Sequence, residues 1–450
     1  GMGLHAALFW PGVLLALAIC QLLISAGLRL FGRIWVGVGG LWLALTSGSF
    51  AGVGAAWGDW RTSGLGLGQF LAKLPQDYSQ DDEANAHLTN LLVDAIIPQR
   101  SILFGLGVGL IVLTLLVVGR GLGESRLLWP AAILTGLLPM AHPHTFIVAM
   151  ALLGTVVAEA AWRKRGVPWR YLGPVGVALA IAAPQLIWQQ TANDYGTGGR
   201  FRLFWQHQEG ESLLGYWWAN FGLMGLALLS IPLVMRRDQR VLWILPALAV
   251  LAITQVYAFQ PFEYDNLKLI YWVYIIGGFF IAHLGVQLVR RSWLFLALVL
   301  PVALVVAIPG ALAITRDLTA RDQFASPADI ELADWARANT PPDAVFAASD
   351  LPNVSVATLA GRSLVLGYRG WLFNFNIPYA AREAAVAAAF AGDFDDPQLR
   401  SFGADYVLVS YGDDAAWSVD RQALAAYPLV WSNDTWSVYE MPTDDLSELG

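Results

Sequence analysis

The stretch from Phe259 to Trp272 reads F-Q-P-F-E-Y-D-N-L-K-L-I-Y-W, and it joins two long apolar runs while holding Glu263, Asp265, Asn266 and Lys268. Charge within lipid is costly, so an acid, an amide and an amine this close together belong at one depth, where hydrocarbon ends and water or a polar ligand begins. The loop reads as one wall of a site. Two other short segments carry related chemistry: Pro98-Gln99-Arg100, which opens an apolar run, and His142-Pro143-His144, which separates two. Arg100 offers a two-pronged donor to an oxyanion and Lys268 a point charge. His142 and His144 can donate or accept near neutral pH, and Asp265 is a carboxylate able to take or orient a proton.

Each group also has a structural alternative. An Arg or Lys at the end of a span often anchors by reaching to the interface. Asp265 and Lys268 can pair with each other and hold the loop. His142 and His144, two apart across a proline, are a pair of metal donors, but no third ligand stands out. A divalent metal is therefore an open alternative with no ligand set assigned.

The elements that must position these groups are membrane spans. The chain has 450 residues, 56% hydrophobic and 14% charged, and a mean hydropathy of +0.53, which lies in the membrane class. The 20 Trp and 14 Tyr suit the two headgroup layers. One cysteine, Cys20, excludes an intrachain disulfide and cysteine-only metal clusters. Residues before Arg316 carry a net charge of +5 and those from it onward −12, which points to a lipid-embedded body and an acidic, water-exposed tail. Nothing resembles a basic patch, so nucleic acid is not an expected partner.

A hydrocarbon core is roughly 30 Å thick and a helix rises about 1.5 Å per residue. Ten stretches suit such spans: 8–28, 34–54, 101–119, 127–141, 144–161, 172–189, 213–235, 241–258, 269–289 and 293–314. Arg29 and Arg33, Arg120 and Arg126, Arg163 to Arg170, Arg236 to Arg240, and Arg290 and Arg291 then alternate onto one side, which the positive-inside rule makes cytoplasmic. The other side receives 59–100, the His142 turn, 190–212, 257–268 and the tail. Arg100, His142, His144, Asp265, Asn266 and Lys268 therefore share the outer face. The 127–141 stretch covers only about 22 Å, which puts the histidine turn at the floor of a cavity.

This topology starts the chain outside, with Met2 behind a glycine, and the expectation is an N-terminally truncated fragment. Inside the spans, Glu159 and His283 are the ionisable groups. That is few for a proton or ion relay, which makes a transporter the weaker reading, and His283 is expected to be a packing residue. Within 59–100, Leu88, Leu91, Leu92, Ala95 and Ile96 recur at helical spacing, predicting an amphipathic helix from His87 to Ile97 lying along the interface.

The fold class expected is a polytopic α-helical membrane domain of about ten spans over 1–315, followed by a small extracytoplasmic α/β domain over 316–450. In the tail, Ser326 caps a helix from Pro327 to Ala338. Strands are expected at Ala344–Ser349, Ser363–Gly367, Asp405–Ser410, Leu429–Ser432 and Trp436–Glu440, with an alanine-rich Tyr379–Ala391 between them and a hairpin turn at Asn433-Asp434-Thr435.

Several of these stretches, in this order, resemble the GT-C superfamily of polytopic membrane glycosyltransferases and related membrane proteins. They are Pro98-Gln99-Arg100, His142-Pro143-His144-Thr145, Trp217-x-x-Asn220-Phe221-Gly222, Tyr264-Asp265-Asn266-x-Lys268, Gly367-Tyr368-Arg369-Gly370-Trp371 and Tyr406-Val407-Leu408-Val409. The resemblance covers most of the chain through short motifs. It implies a multi-pass protein of a bacterial or archaeal cytoplasmic membrane, with an outer-face site that transfers a sugar from a polyprenyl-phosphate-linked donor to a glycan, lipid or protein acceptor.

On that reading, cations meet the negative charge developing on the leaving phosphate. The catalytic candidates are Asp265, His142 and His144. Those for substrate binding are Arg100, Gln99, Asn266, Lys268, Tyr368, Arg369 and Trp371. One departure matters: the family's essential acid lies in a first outer loop that this chain starts after, so no residue here inherits its role. The alternative is a non-catalytic multi-pass protein whose outer domain binds glycan, lipid or a partner protein.

Overall fold

The computed structural model describes residues 4–81, 85–122, 125–164, 169–191, 198–203, 212–320 and 323–442. Gly1, Met2, Arg165 and most of the 190–212 loop, all used in the topology argument, lie outside the described residues. The chain divides into two compact units, Gly1–Ala320 and Arg321–Gly450.

The first unit is helical: α1 (Leu4–Phe31), α2 (Ile34–Leu45), α3 (Phe50–Ser63), α4 (Leu67–Leu71), α5 (Arg100–Leu122), α6 (Leu128–Ala141), α7 (Pro143–Lys164), α8 (Trp169–Thr191), α9 (Leu213–Val234), α10 (Leu245–Thr254), α11 (Leu267–Arg291) and α12 (Leu296–Thr319). A two-residue antiparallel pair, β1 (Arg200–Phe201) with β2 (Tyr257–Ala258), ties the loop before α9 to the one after α10.

Every one of the ten apolar stretches is largely helical, but among the described residues seven helices are long and apolar enough to cross a membrane. An eighth span results if α2 and α3, bent by 58°, count as one. The other two stretches, α6 and Gln239–Thr254, are shorter helices. Hydropathy alone cannot separate a short apolar helix held by its neighbours from a full span, hence the correction to the expected ten.

Burial separates the helices by role. The α11 span has 72% of its most apolar window buried against 22% for the α12 span. Trp272, Tyr274, Phe279 and Phe280 of α11 are sealed inside the unit, whereas Leu298, Leu300 and Leu304 of α12 are exposed. A row of exposed leucines this long needs an apolar solvent.

The break between α2 and α3 obeys the rule that irregular backbone at membrane depth must find partners in protein. Three carbonyls at the break are matched: the Asn90 side-chain amide donates to Leu45 O at 2.9 Å and to Ser47 O at 2.7 Å, and the Gly310 N–H donates to Thr46 O at 3.1 Å. A Cβ at position 310 would stand 2.4 Å from that Thr46 carbonyl, so the crossing of α12 over the break requires glycine.

The His87–Ile97 segment is the clearest departure from expectation. Residues 87–90 form neither helix nor strand, Leu91–Ile96 forms a single π-helical turn, and His87, Leu88, Asn90, Leu91, Ala95 and Ile96 are buried. The apolar face meant for lipid headgroups packs against protein. Asn90 holds the turn too, its Oδ1 accepting the N–H groups of Leu92 and Val93 at 2.9 and 3.1 Å.

The second unit is a five-stranded mixed sheet of β3 (Val345–Ala348), β4 (Ser363–Leu364), β5 (Tyr406–Ser410), β6 (Leu429–Ser432) and β7 (Trp436–Glu440), in the order β4-β3-β5-β7-β6. The β3 strand runs parallel to β4 and β5, and β7 runs antiparallel to β5 and β6. Alternation along the strands feeds two cores. Phe346, Ala348, Leu408 and Val438 pack with α13 (Pro327–Asn339). Ala347, Val407, Val409 and Tyr439 pack on the other face with Ala385, Val386 and Phe390.

Local signals were followed closely here. Ser326 and Asp329 form a reciprocal capping box at the start of α13. In the β6–β7 turn, Asn433 Oδ1 accepts the N–H groups of Thr435 and Trp436 at 3.0 and 2.8 Å. Between strands lie α14 (Ser355–Thr358), α15 (Arg369–Asn374) and α16 (Ala380–Phe390).

Candidate functional site

The amino-terminal part of α5 presents Gly105 and Gly109, four apart and so on one face. A Cβ at Gly105 would lie 2.3 Å from His142 Cβ, and one at Gly109 would lie 2.5 Å from the Trp272 ring and 2.6 Å from Thr145 Cγ2. The bare backbone makes room for three side chains from the α6–α7 junction and α11. His142 is the hinge residue of that junction, its N–H closing α6 onto Leu138 O at 2.7 Å and its carbonyl accepting the Phe146 N–H at 3.2 Å.

The hydrogen bonds of His142 determine which ring nitrogen holds the proton. The backbone N–H of Thr145 donates to Nδ1 at 3.2 Å, and an amide N–H can only donate. In the neutral ring Nδ1 is therefore the acceptor and Nε2 carries hydrogen. Trp272 Nε1–H donates to Thr145 Oγ1 at 3.3 Å, which leaves the threonine's own hydrogen for Nδ1 at 2.8 Å. A directed relay from Trp272 through Thr145 thus holds His142 as an Nε2–H donor.

That donor is buried and meets no hydrogen-bond partner among the described residues, and neither does Nε2 of His144. The two rings are 5.5 Å apart between centroids. An unmatched buried polar atom costs about 1–3 kcal/mol, so two of them side by side are a feature that a ligand would relieve. Lys268 lies close enough for its charge to be felt at both imidazoles. It bridges to Asp265 at 2.7 Å, with 19% and 12% of the two side chains exposed.

The structure thus brings four predicted residues together: His142, His144, Asp265 and Lys268. Asn266 holds the loop instead of reaching toward them, accepting the Phe259 N–H at 3.2 Å and donating to Tyr257 O at 2.7 Å and Thr254 O at 3.3 Å. Gln99 donates to Asp94 O at 3.0 Å, and Arg100 is exposed at the first turn of α5. In the second unit, Arg369 is bound to Asp350 at 2.6 Å and to Glu383, with Trp417 under its guanidinium at 4.9 Å. These acids hold its charge above the usual guanidinium range. Tyr368 and Trp371 meet edge to face at 5.4 Å. Among the described residues, no group of three or more His, Cys, Asp or Glu is placed to hold a metal ion.

A second polar cluster adjoins this loop. The Asn220 side chain accepts the His87 N–H at 2.8 Å and donates to Asn85 O at 2.9 Å and Tyr216 O at 3.1 Å. His87 Nδ1 meets the Tyr264 hydroxyl at 3.1 Å, and Thr89 meets Tyr271 at 2.7 Å. Gly222, with φ of +48°, breaks α9 just after Asn220 and faces the Phe50 ring. Sequence reasoning passed over Gly105, Asn90 and Trp272 as site builders. The pair of glycines four apart in α5 was the available signal.

Opposite this end, the same helices gather arginines. Glu159, buried near the end of α7, is held by Arg120 and Arg163, each at 2.7 Å. Arg240 pairs with Asp238 and lies over the Phe31 ring at 5.4 Å. His283 stacks on Phe31 at 4.2 Å and meets Gln287 at 2.7 Å, which is a packing arrangement. In α5, α7 and α11, the first turns lie at the histidine end and the last turns at the arginine end.

No family model matches this chain, and no curated protein matches it. Among solved structures, the apo form of the oligosaccharyltransferase of Archaeoglobus fulgidus aligns with 98% of this chain and 64% of its own, at 13% identity and a TM-score of 0.46. The chain therefore spans less than two thirds of that protein.

Proposed function

We propose that the chain is a GT-C-like membrane glycosyltransferase that binds a polyprenyl-phosphate-linked sugar at the His142–His144–Lys268 end of its membrane unit. The observation carrying this reading is the buried, unmatched Nε2–H of His142 beside His144 Nε2 and the Lys268 ammonium. Those groups suit a phosphate ester, whose oxygens accept hydrogen bonds and whose charge grows as the glycosyl bond breaks. Asp265 steadies Lys268, and the apolar helices around the site suit a prenyl chain. The charge alternation of the loops supports placing this end, and the acidic carboxy-terminal unit, on the outer face. The motif order supports the reaction class.

Binding tests the reading without requiring turnover. The purified chain in detergent is titrated with a synthetic polyprenyl-phosphate sugar and with the matching prenyl alcohol, and protection against thermal unfolding is measured. Lys268→Met and His142→Ala are each expected to weaken phosphate-sugar binding about tenfold or more, a charge-assisted hydrogen bond contributing about 1.5–3 kcal/mol, with little change for the alcohol. Equal affinity of the wild-type chain for both lipids would overturn the assignment.

A further inference from the structure

At the arginine end, the last turns of α5, α9 and α11 and the Asp238–Arg240 turn border an open cavity of about 590 Å³ lined by Arg120, Arg237, Asp238, Arg240 and Gln287, among others. The charges within it are unequally committed. Arg120 is spent on Glu159 and Arg240 on Asp238. Arg237 lines the same space, is exposed, and makes no ion pair among the described residues. Gln239 and Gln287 add amide donors to the lining. The edge changes character: Val234 lines the cavity, and it and the preceding Leu233, the final residues of α9, are 63% and 75% exposed.

A cavity with an uncommitted guanidinium inside and an exposed apolar edge fits an amphiphile with an anionic head. We infer that this cavity binds the phosphate headgroup of an anionic phospholipid, with Arg237 as the charged donor and Leu233 and Val234 against the acyl chains. This site lies at the opposite ends of α5 and α11 from the histidine pair and does not depend on the transfer reaction. A free phosphate ion would meet the same guanidinium but gain nothing from the apolar rim, which is why a membrane lipid is favoured. Basic pockets between spanning helices hold lipid headgroups by this combination.

The purified chain in a neutral detergent is heated with dioleoyl phosphatidylglycerol, with dioleoyl phosphatidylcholine, or with inorganic phosphate, and the folded fraction is followed by size-exclusion chromatography. The expectation is saturable protection by phosphatidylglycerol, weakened about fivefold in Arg237→Ala, an interaction of about 1 kcal/mol per basic residue. Arg237→Lys should retain most of it, and Arg291→Ala, which removes a cation outside the cavity, should leave it unchanged. Arg237 is exposed, so its replacement leaves the fold intact. Equal protection by phosphatidylcholine, equal protection by inorganic phosphate, or equal losses in Arg237→Ala and Arg291→Ala would each overturn the inference.

Discussion

Replacing Gly105 by alanine tests how the site is built, because a neighbouring glycine in the same helix supplies the control. The new methyl would stand 2.3 Å from His142 Cβ and 2.5 Å from its Cγ. The Cβ atom is fixed by the backbone of the α6–α7 junction and cannot swing aside as a side-chain tip would. Ordinary carbon contacts begin near 3.5 Å, so the helix and junction must part by about 1 Å. Overpacking of this kind costs about 1–3 kcal/mol. At Gly107 an added Cβ meets nothing within 4 Å, and alanine there should stabilise by about 0.5–1 kcal/mol through helix propensity alone. That same gain applies at 105, so the difference between the variants isolates the collision.

Titration of both purified variants with sodium dodecyl sulfate, read by tryptophan emission, should show Gly107→Ala unfolding later than wild type and Gly105→Ala earlier. A shift of about 1 Å in His142 should also lower affinity for the phosphate-linked sugar, since misplacement on that scale is costly at a preorganised site. If Gly105→Ala unfolds no earlier than Gly107→Ala, the close approach of α5 to His142 is wrong.

Two other outcomes follow from the buried loop. Asn90→Ala strips partners from two carbonyls and two N–H groups, and should cost about 3 kcal/mol in detergent unfolding. Asn90→Asp should be no milder, because it sets a carboxylate against the Leu45 and Ser47 carbonyls; wild-type stability in either variant would contradict the assigned bonds. The Asp94 carboxyl is pushed up to about 7, chiefly by burial and then by the charge of Asp77, with Asp317 adding to it against the opposing Asn90 N–H and Ser79 hydroxyl. A carboxyl raised above its unfolded value near 4 keeps its proton longer in the folded chain, so stability should fall as pH rises from about 4 to about 7 and level off above. Asp94→Asn should flatten that fall, and an unchanged slope across the window would refute the assignment.

The membrane class, the helical stretches and most of the tail's strands could be read from the sequence because each is a local matter. Ser326, Asn433 and the alternating Tyr406–Ser410 act through neighbours in the chain. The apolar run 34–54 was read as one span because hydropathy carries no record of direction. The bend at Thr46–Ser49 exists because Asn90 and Gly310 satisfy it, and both are distant in sequence. The face formed by Leu88, Leu91 and Ala95 looks the same whether it meets headgroups or a groove in protein, so its periodicity could not choose between them. The histidine, aspartate and lysine of the candidate site were visible by residue type. The threonine and tryptophan that orient His142 were not, because orientation depends on contacts between α5, α7 and α11.

Asn90 has a further consequence, for the order of assembly. The ribosome releases α2, the bend and α3 well before residue 90 emerges, so two of the bend's carbonyls enter the bilayer without their donor, and Thr46 waits longer still for Gly310. The early pair of helices cannot be a finished hairpin at that moment. Those carbonyls gain their partners only once the Asn90 loop and α12 are packed beside the bend, so that assembly of this fold requires the burial of a loop as well as the threading of its helices.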